Sequence, residues 1–474
     1  MPRLVAALDP TATQLLWIGD IYSFALAGLL ITMGNLADRI GRKKLLLIGS
    51  AGFGVASALA AFSTSPEMLI LARALLGAFG ATLMPSTLSI IRNLFHVPAQ
   101  RTRAIAVWSA AAAGGAAIGP LIGGALLEHF WWGSVFLVNV PAMVVLIIAG
   151  ILLIPESRHP DAGPLDLLSA ALSVTAIVPA VYAVKQLVAH GLGLPTLAGI
   201  LLSALSGVWF VRRQRRLATP LVDLALFARP AFTGAVLAKT ISVFAFSGLI
   251  FFLSQYLQLV RGMSPLVAGA AELPLTIAAI AVIFVIGHIV LRLGRGAAIA
   301  AALLTAGIGL VLVAVAESLP GYLWLGLALI PIGTGVGITM TLATDAIVAA
   351  VPRRRAGAAS AIAETALELG TALGIGILGT LLTLYYRTSL DLPANIPDTT
   401  RASITESLAT AIRKLPDTPF AHLLTEAQHA FTTAMQLNAL TGAACMITAA
   451  LTAWRLIPNT GKRGTTPDTS PPES

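Results

Sequence analysis

Charge is scarce in this 474-residue chain: Asp, Glu, Lys and Arg together make up 11% of it, where a soluble domain averages about a quarter. Water is therefore excluded as its main solvent. The single cysteine, Cys445, excludes an intramolecular disulfide. No G-x-x-x-x-G-K-[ST] run occurs, so there is no P-loop and no sign of direct ATP use. The seven histidines lack metal-ligand spacing, and no Ser/His/Asp constellation stands out. Neither a metal site nor a membrane enzyme is indicated. No cleavable signal peptide is apparent. The apolar runs also lack the period-two alternation that a membrane barrel needs.

What is present is apolar residues, 57% of the chain. They fall in about thirteen runs of roughly 20 residues, each long enough to cross a bilayer as a helix. The sequence predicts an all-α polytopic membrane protein. A stretch of about forty polar residues, 387–428, interrupts the otherwise short connections before the last run. The Pro/Ser/Thr-rich end, TTPDTSPPES, reads as a disordered tail.

The net charge of +9 resides mostly in short clusters: Arg39, Arg42, Lys43, Lys44; Arg101, Arg103; Arg212, Arg213, Arg215, Arg216; and Arg353, Arg354, Arg355. These occupy alternate loops, the pattern that sets orientation in a membrane. The basic balance thus reports a cytoplasmic C-terminus in a multi-pass inner-membrane protein, not a nucleic-acid partner. An odd number of spans then puts the N-terminus outside. Two readings follow: the chain begins downstream of the physiological start, or the protein has one helix fewer.

The chain repeats itself. Gly34, Arg39, Gly41 and Arg42 follow the first run, and Gly287, Arg292, Gly294 and Arg295 recur at the same spacing, 253 residues on, after the ninth. Both copies fall in expected cytoplasmic turns, which points to two related halves.

Several stretches carry recognisable chemistry: GNLADRIGRKKL (34–45); LARALLGAFGA (71–81), with Arg73 inside a span; GGAAIGPLIGG (114–124); and LLWIGDIYSF (15–24), MPSTLSIIRNLF (84–95) and FLVNVP (136–141). Together they resemble the fourteen-helix drug:proton antiporters of the major facilitator superfamily, notably exporters of quaternary ammonium compounds and ethidium. The resemblance covers nearly the whole chain. It departs at the start, where the family's first helix, which carries an acidic motif and lines the central cavity, is mostly missing. It implies a major facilitator fold with an N-terminal half over 1–155 and an inserted helix pair with flanking linkers over 156–219. A C-terminal half follows over 220–456, with a tail from 457 to 474.

The residues give these motifs physical content. Asp38 is placed to accept bonds from a helix N-terminus across the interface between halves, with Arg39 and Arg42 on lipid phosphate or acidic partners. Gly34 and Gly41 supply the tight turn. Such a latch stabilises one access state; topology-setting charge is the simpler alternative. Arg73 costs roughly 2.5–3.5 kcal/mol within a span, so it needs a partner. Asp20 is the expected one, the pair either tuning a proton-binding carboxylate or being purely structural. Gly115, Gly119 and Gly123 share a smooth face for close helix approach, and Pro120 bends the helix. With Gly124 they match the antiporter motif, a seal between the halves.

Acids inside spans are the expected seat of chemistry. Glu364 and Glu368 lie at i and i+4 on one helix face, where both cannot ionise cheaply. By resemblance they match the family's acidic pair, with Glu368 where an Asp is more usual. Asp20 and Glu272 are further proton-coupling or cation-binding candidates. Asp345 reads as a gate or ion pair, Lys185 and Lys239 as snorkelling to an interface. Trp17 and Tyr22 are the aromatic candidates for contact with a flat cation.

The expected function is export of lipophilic cations in exchange for protons by alternating access, in a membrane, with no cofactor beyond the proton gradient. Two alternatives stand beside it: an exporter of another metabolite or anionic solute, and a non-transporting ligand-binding remnant or sensor.

Overall fold

The computed structural model describes residues 4, 7–158, 166–217, 219–393, 396–416 and 419–458. The regular structure among them is helical. In chain order the helices are α1 (Ala12–Ile40), α2 (Arg42–Ala61), α3 (Pro66–Leu94), α4 (Pro98–His129), α5 (Ser134–Leu137), α6 (Asn139–Leu153), α7 (Leu167–His190) and α8 (Leu194–Gln214). After these come α9 (Pro230–Leu259), α10 (Pro265–Ala271), α11 (Leu273–Leu293), α12 (Arg295–Ala316), α13 (Leu323–Ala349), α14 (Ala356–Ser389), α15 (Asp398–Glu406), α16 (Leu408–Lys414) and α17 (Leu423–Leu456).

Among the described residues, twelve helices are long and apolar enough to cross a membrane. The run expected at 104–127 lies within α4, a continuous helix of 32 residues. Local chemistry sets the ends. Thr11 and Gln14 close a capping box on α1. Ser65 caps α3, with Pro66 in its first turn. Gly41 and Gly294, equivalent in the repeat, adopt φ of 114° and 78° and start α2 and α12, a backbone conformation open to glycine alone at little cost.

The stretch 387–428 is not a structureless loop. It holds α15 and α16, and Ile404, Leu408, Ala411 and the C-cap Leu415 are buried against the bundle. Tyr386 donates to the Ile404 carbonyl at 2.9 Å and fixes this cap to α14. Of the expected tail, 457–474, Ile457 is buried and residues 459–474 lie outside the described residues.

Helix α14 is the hub. It packs against α1 and α3, against α9 and α17, and against α7. Helix α4 crosses in the opposite sense onto α11 and α13, so each half of the repeat sends helices against the other. Helices α7 and α8 pack on one another, with α7 also touching α1 and α14.

Candidate functional site

The residues at the α1–α2 turn form a closed clasp. Helix α14 begins at Ala356, and its free Gly357 and Ala358 N–H groups donate to the two Asp38 oxygens at 2.9 and 3.1 Å. An anion at a helix N-terminus meets both orphan donors and the positive end of the dipole. Arg42 donates to the same carboxylate through Nε at 3.0 Å and Nη2 at 2.5 Å. It also reaches the Arg353 carbonyl at 2.8 Å. Asp38 and Arg42 are buried. Gly34 permits this, because its backbone lies directly on that of Gly357. At Gly41 a Cβ would stand 2.7 Å from the Glu156 carboxylate, which accepts from the Lys43 and Lys44 N–H groups and caps α2. Arg39 lines a cavity of about 300 Å³ with Arg229 and Arg355.

A second clasp stands at the same end. Asp345 is fully buried and accepts from Arg101 Nε at 2.5 Å, Thr102 Oγ1 at 3.0 Å and Arg295 Nη2 at 2.9 Å. It is an ion pair, one of the two roles expected of it. The repeat explains its position. Leu291 occupies the place of Asp38 in the second copy, so the carboxylate that meets Arg295 comes from α13. Arg92 adds bonds to the Val348 and Val351 carbonyls at 3.2 and 3.4 Å. All these contacts tie α1–α4 to α11–α14 at one end of the bundle.

The acids on α14 have unlike surroundings. Glu364 is 1% exposed and faces α9, where Lys239, 0% exposed, places Nζ 3.7 Å from Oε1. Lys239 therefore does not snorkel: it sits nine residues into α9, too deep for its stem to reach an interface past the packed α14. Glu368, one turn on, is half-buried and lies within charge range of Tyr22 on α1.

Arg73 departs from expectation. It donates to the Gly19 carbonyl at 3.3 Å and stands over the Tyr22 and Phe136 rings at 6.0 and 5.9 Å. Asp20 pairs instead with Lys185 of α7. The reason is helical: Trp17, Asp20 and Phe24 form one stripe toward α7, whereas Tyr22 turns to α3, where a Cβ on Gly77 would fall 2.4 Å from its carbonyl oxygen. Lys185 accordingly reaches inward, its Nζ 5.2 Å from the Phe24 ring. Trp17 is stacked edge-on with Phe24, whereas the Tyr22 ring lies under Arg73.

Glu272 sits at the break between α10 and α11 beside Tyr322, away from the α14 acids in the helix order, with Oε1 buried and without a hydrogen-bond partner among the described residues. The glycine row of α4 differs from expectation as well. Gly115, Gly119 and Gly123 face open space, with nothing within 4 Å of a Cβ built on any of them. The α11 contact is made at Gly114, and the row is turned by roughly 100–180° from it about the helix axis. The packing of Pro120 and Gly124 lies outside the described residues.

Two charged groups have surroundings that the sequence does not signal. Lys239 is the counter-ion of Glu364, a relation that no spacing rule carries. Glu317, the C-cap of α12, is buried with neither carboxylate oxygen hydrogen-bonded among the described residues.

Residues 1–375 match the Major Facilitator Superfamily. The chain is 43% identical over 453 residues to the multidrug efflux pump LfrA of Mycolicibacterium smegmatis, covering 95% of this chain and 90% of the relative. It is 37% identical over 438 residues to the methyl viologen resistance protein SmvA of Salmonella typhimurium, covering 91% and 88%. Among solved structures, the proton:xylose symporter XylE superposes with a TM-score of 0.61 at 13% identity, over 97% of this chain and 91% of that one. That likeness bears on the fold alone.

Proposed function

The chain belongs to the Major Facilitator Superfamily, and from that premise we propose that it is a proton-coupled exporter of lipophilic cations such as quaternary ammonium compounds and ethidium. The relatives support a multidrug exporter. Methyl viologen, in the name of one of them, is a flat dication. The observation that carries the cationic, proton-coupled part is the placement of Glu368. This carboxylate is half-buried on a helix that packs against both halves and the inserted pair, within charge range of Tyr22 and one turn from Glu364. A carboxylate so placed holds either a proton or a cation, and each displaces the other.

Transport follows as an exchange. Protonated Glu368 releases its proton as the cation enters, the carboxylate holds the cation, and a proton arriving from the other side expels it. Arg73 positions the Tyr22 ring beside this exchange. Asp20 with Lys185 and Glu272 are accessory acids. The two clasps close the basic end, taken as cytoplasmic together with the C-terminus, so this conformation opens outward. The clasps must break for loading. The glycine face of α4, with Gly115, Gly119, Pro120, Gly123 and Gly124, is the surface against which the other access state seals. Lipid surrounds the bundle, and the proton gradient drives export without a cofactor.

The test is ethidium accumulation in efflux-deficient bacteria that express the chain, with and without a protonophore, with membrane expression confirmed. Lower accumulation that the protonophore restores supports the reading. Unchanged accumulation with the protein present in the membrane contradicts it.

A further inference from the structure

The Lys239–Glu364 pair is sealed within protein. Its members are 0% and 1% exposed, and the 3.7 Å separation is too long for a hydrogen bond. Neither Nζ nor Oε1 has a hydrogen-bond partner among the described residues, and Ser242 Oγ, one turn along α9, is buried in the same condition. The seam is closed beyond this point. A Cβ on Gly370 would lie 2.7 Å from the Thr240 carbonyl oxygen, and one on Gly374 2.2 Å from that of Phe244. There the backbones of α9 and α14 are in contact and leave no room for a drug-sized cation between them. Glu368 is half-buried instead and lies within charge range of Tyr22 on α1.

Buried ion pairs rarely add stability, and one without hydrogen bonds returns little of the cost of its own desolvation. A buried carboxylate left without its cation, however, must either take up a proton or attract another cation. Glu364 stands one turn from Glu368, so either event would put a second charge-carrying group into the exchange.

We propose that Lys239 is a built-in counter-cation that withdraws Glu364 from exchange, leaving Glu368 as the one α14 carboxylate that trades a proton for substrate. Lys239 and Glu364 are positioning residues in this arrangement. They neutralise one another and hold the charge next to Glu368 constant through the cycle. The inference rests on the exporter reading and says which acid does the work.

The experiment measures proton release when ethidium is added to purified full-length protein in weakly buffered detergent, and ethidium export by everted vesicles. Lys239→Met is expected to lower export about tenfold, since it strands a buried charge. The double variant Lys239→Met/Glu364→Gln, which removes the pair together, is expected to recover to within about threefold of wild type and to keep its proton release. Glu368→Gln is expected to lose proton release. Lys239→Met frees Glu364 to take up a proton and is expected to raise the protons released per ethidium bound, a change that a merely structural pair would not produce. The inference is overturned if the double variant is inserted normally yet neither releases protons nor exports, or if Lys239→Met alone behaves as wild type. Should the double variant not assemble, the charge exchange Lys239→Glu/Glu364→Lys replaces it with the same outcomes. Wild-type protein that binds no ethidium overturns the exporter reading and this inference with it. Wild-type export with a dead but inserted double variant overturns this inference alone.

Discussion

Gly34 and Gly357 cross with their backbones in contact: a Cβ on Gly357 would fall 2.2 Å from the carbonyl oxygen of Gly34, and one on Gly34 would fall 2.5 Å from that of Gly357. This approach brings the first turn of α14 within reach of Asp38. Two small residues 323 positions apart thus decide whether the clasp at this end can form.

A side chain at either glycine should therefore open the clasp. Gly357→Val separates the helices and removes both backbone donors from Asp38. Hydrogen bonds to a charged group contribute about 1.5–3 kcal/mol each, so the closed population should fall by about tenfold or more. Ser360, fully buried on the next turn, is the reporter. In a Cys445→Ser background, Ser360→Cys should react with a polar maleimide about tenfold faster when Gly357→Val is present. Equal rates would show that the glycine contact does not hold the clasp.

The second clasp predicts a ranking. Asp345→Ala strands two guanidinium groups, and breaking a buried pair in this way costs about 3–5 kcal/mol. Arg101→Ala should cost less than Asp345→Ala, because Arg295 still meets the carboxylate. Arg295→Ala should cost least, since its side chain is 23% exposed. Thermal unfolding in detergent measures the order, and a different order would mean that Asp345 is not the shared anchor.

Glu317 predicts a pH dependence. Burial pushes its carboxyl well above the ordinary glutamate range, with Arg261 opposing. The folded protein then holds this proton more tightly than the unfolded chain does. Stability from this group is full below the unfolded value of about 4.3 and declines as pH rises from there through the folded value. Glu317→Gln removes that decline. Its melting temperature should exceed that of wild type at pH 8 and match it at pH 4. Parallel pH profiles for the two proteins would contradict this.

Much of the clasp was legible in the sequence because its parts are local. Gly41 and Arg42 sit beside Asp38 in one turn, and a lone carboxylate at such a turn needs donors. The membrane helices were legible from the length of apolar runs, and the repeat from the spacing of Gly34 and Gly287. The partners of buried charges were not. Asp20 and Arg73 both lie on the inward side of their helices, and it is the angular offset between Gly19 and Asp20 that sends one to Arg73 and the other to Lys185. Lys239 meets Glu364 across 125 residues, through a helix crossing that sequence spacing does not encode. The glycine row of α4 was visible as a pattern, but a row of small residues does not say which neighbour it faces. The stretch 387–428 reads as polar by composition, yet Ile404, Leu408, Ala411 and Leu415 recur at helical spacing, a signal that was present and outweighed.

The central claim is an exchange of protons for cations at Glu368, and proton movement is its most direct measure. Purified protein in liposomes with an acidic lumen and an entrapped pH dye should discharge protons when ethidium is added outside. Glu368→Gln should lower that discharge to less than about a tenth, the loss expected when a transition-specific charge is removed. Ethidium uptake with no change in lumen pH, or an undiminished discharge in Glu368→Gln, would contradict the account.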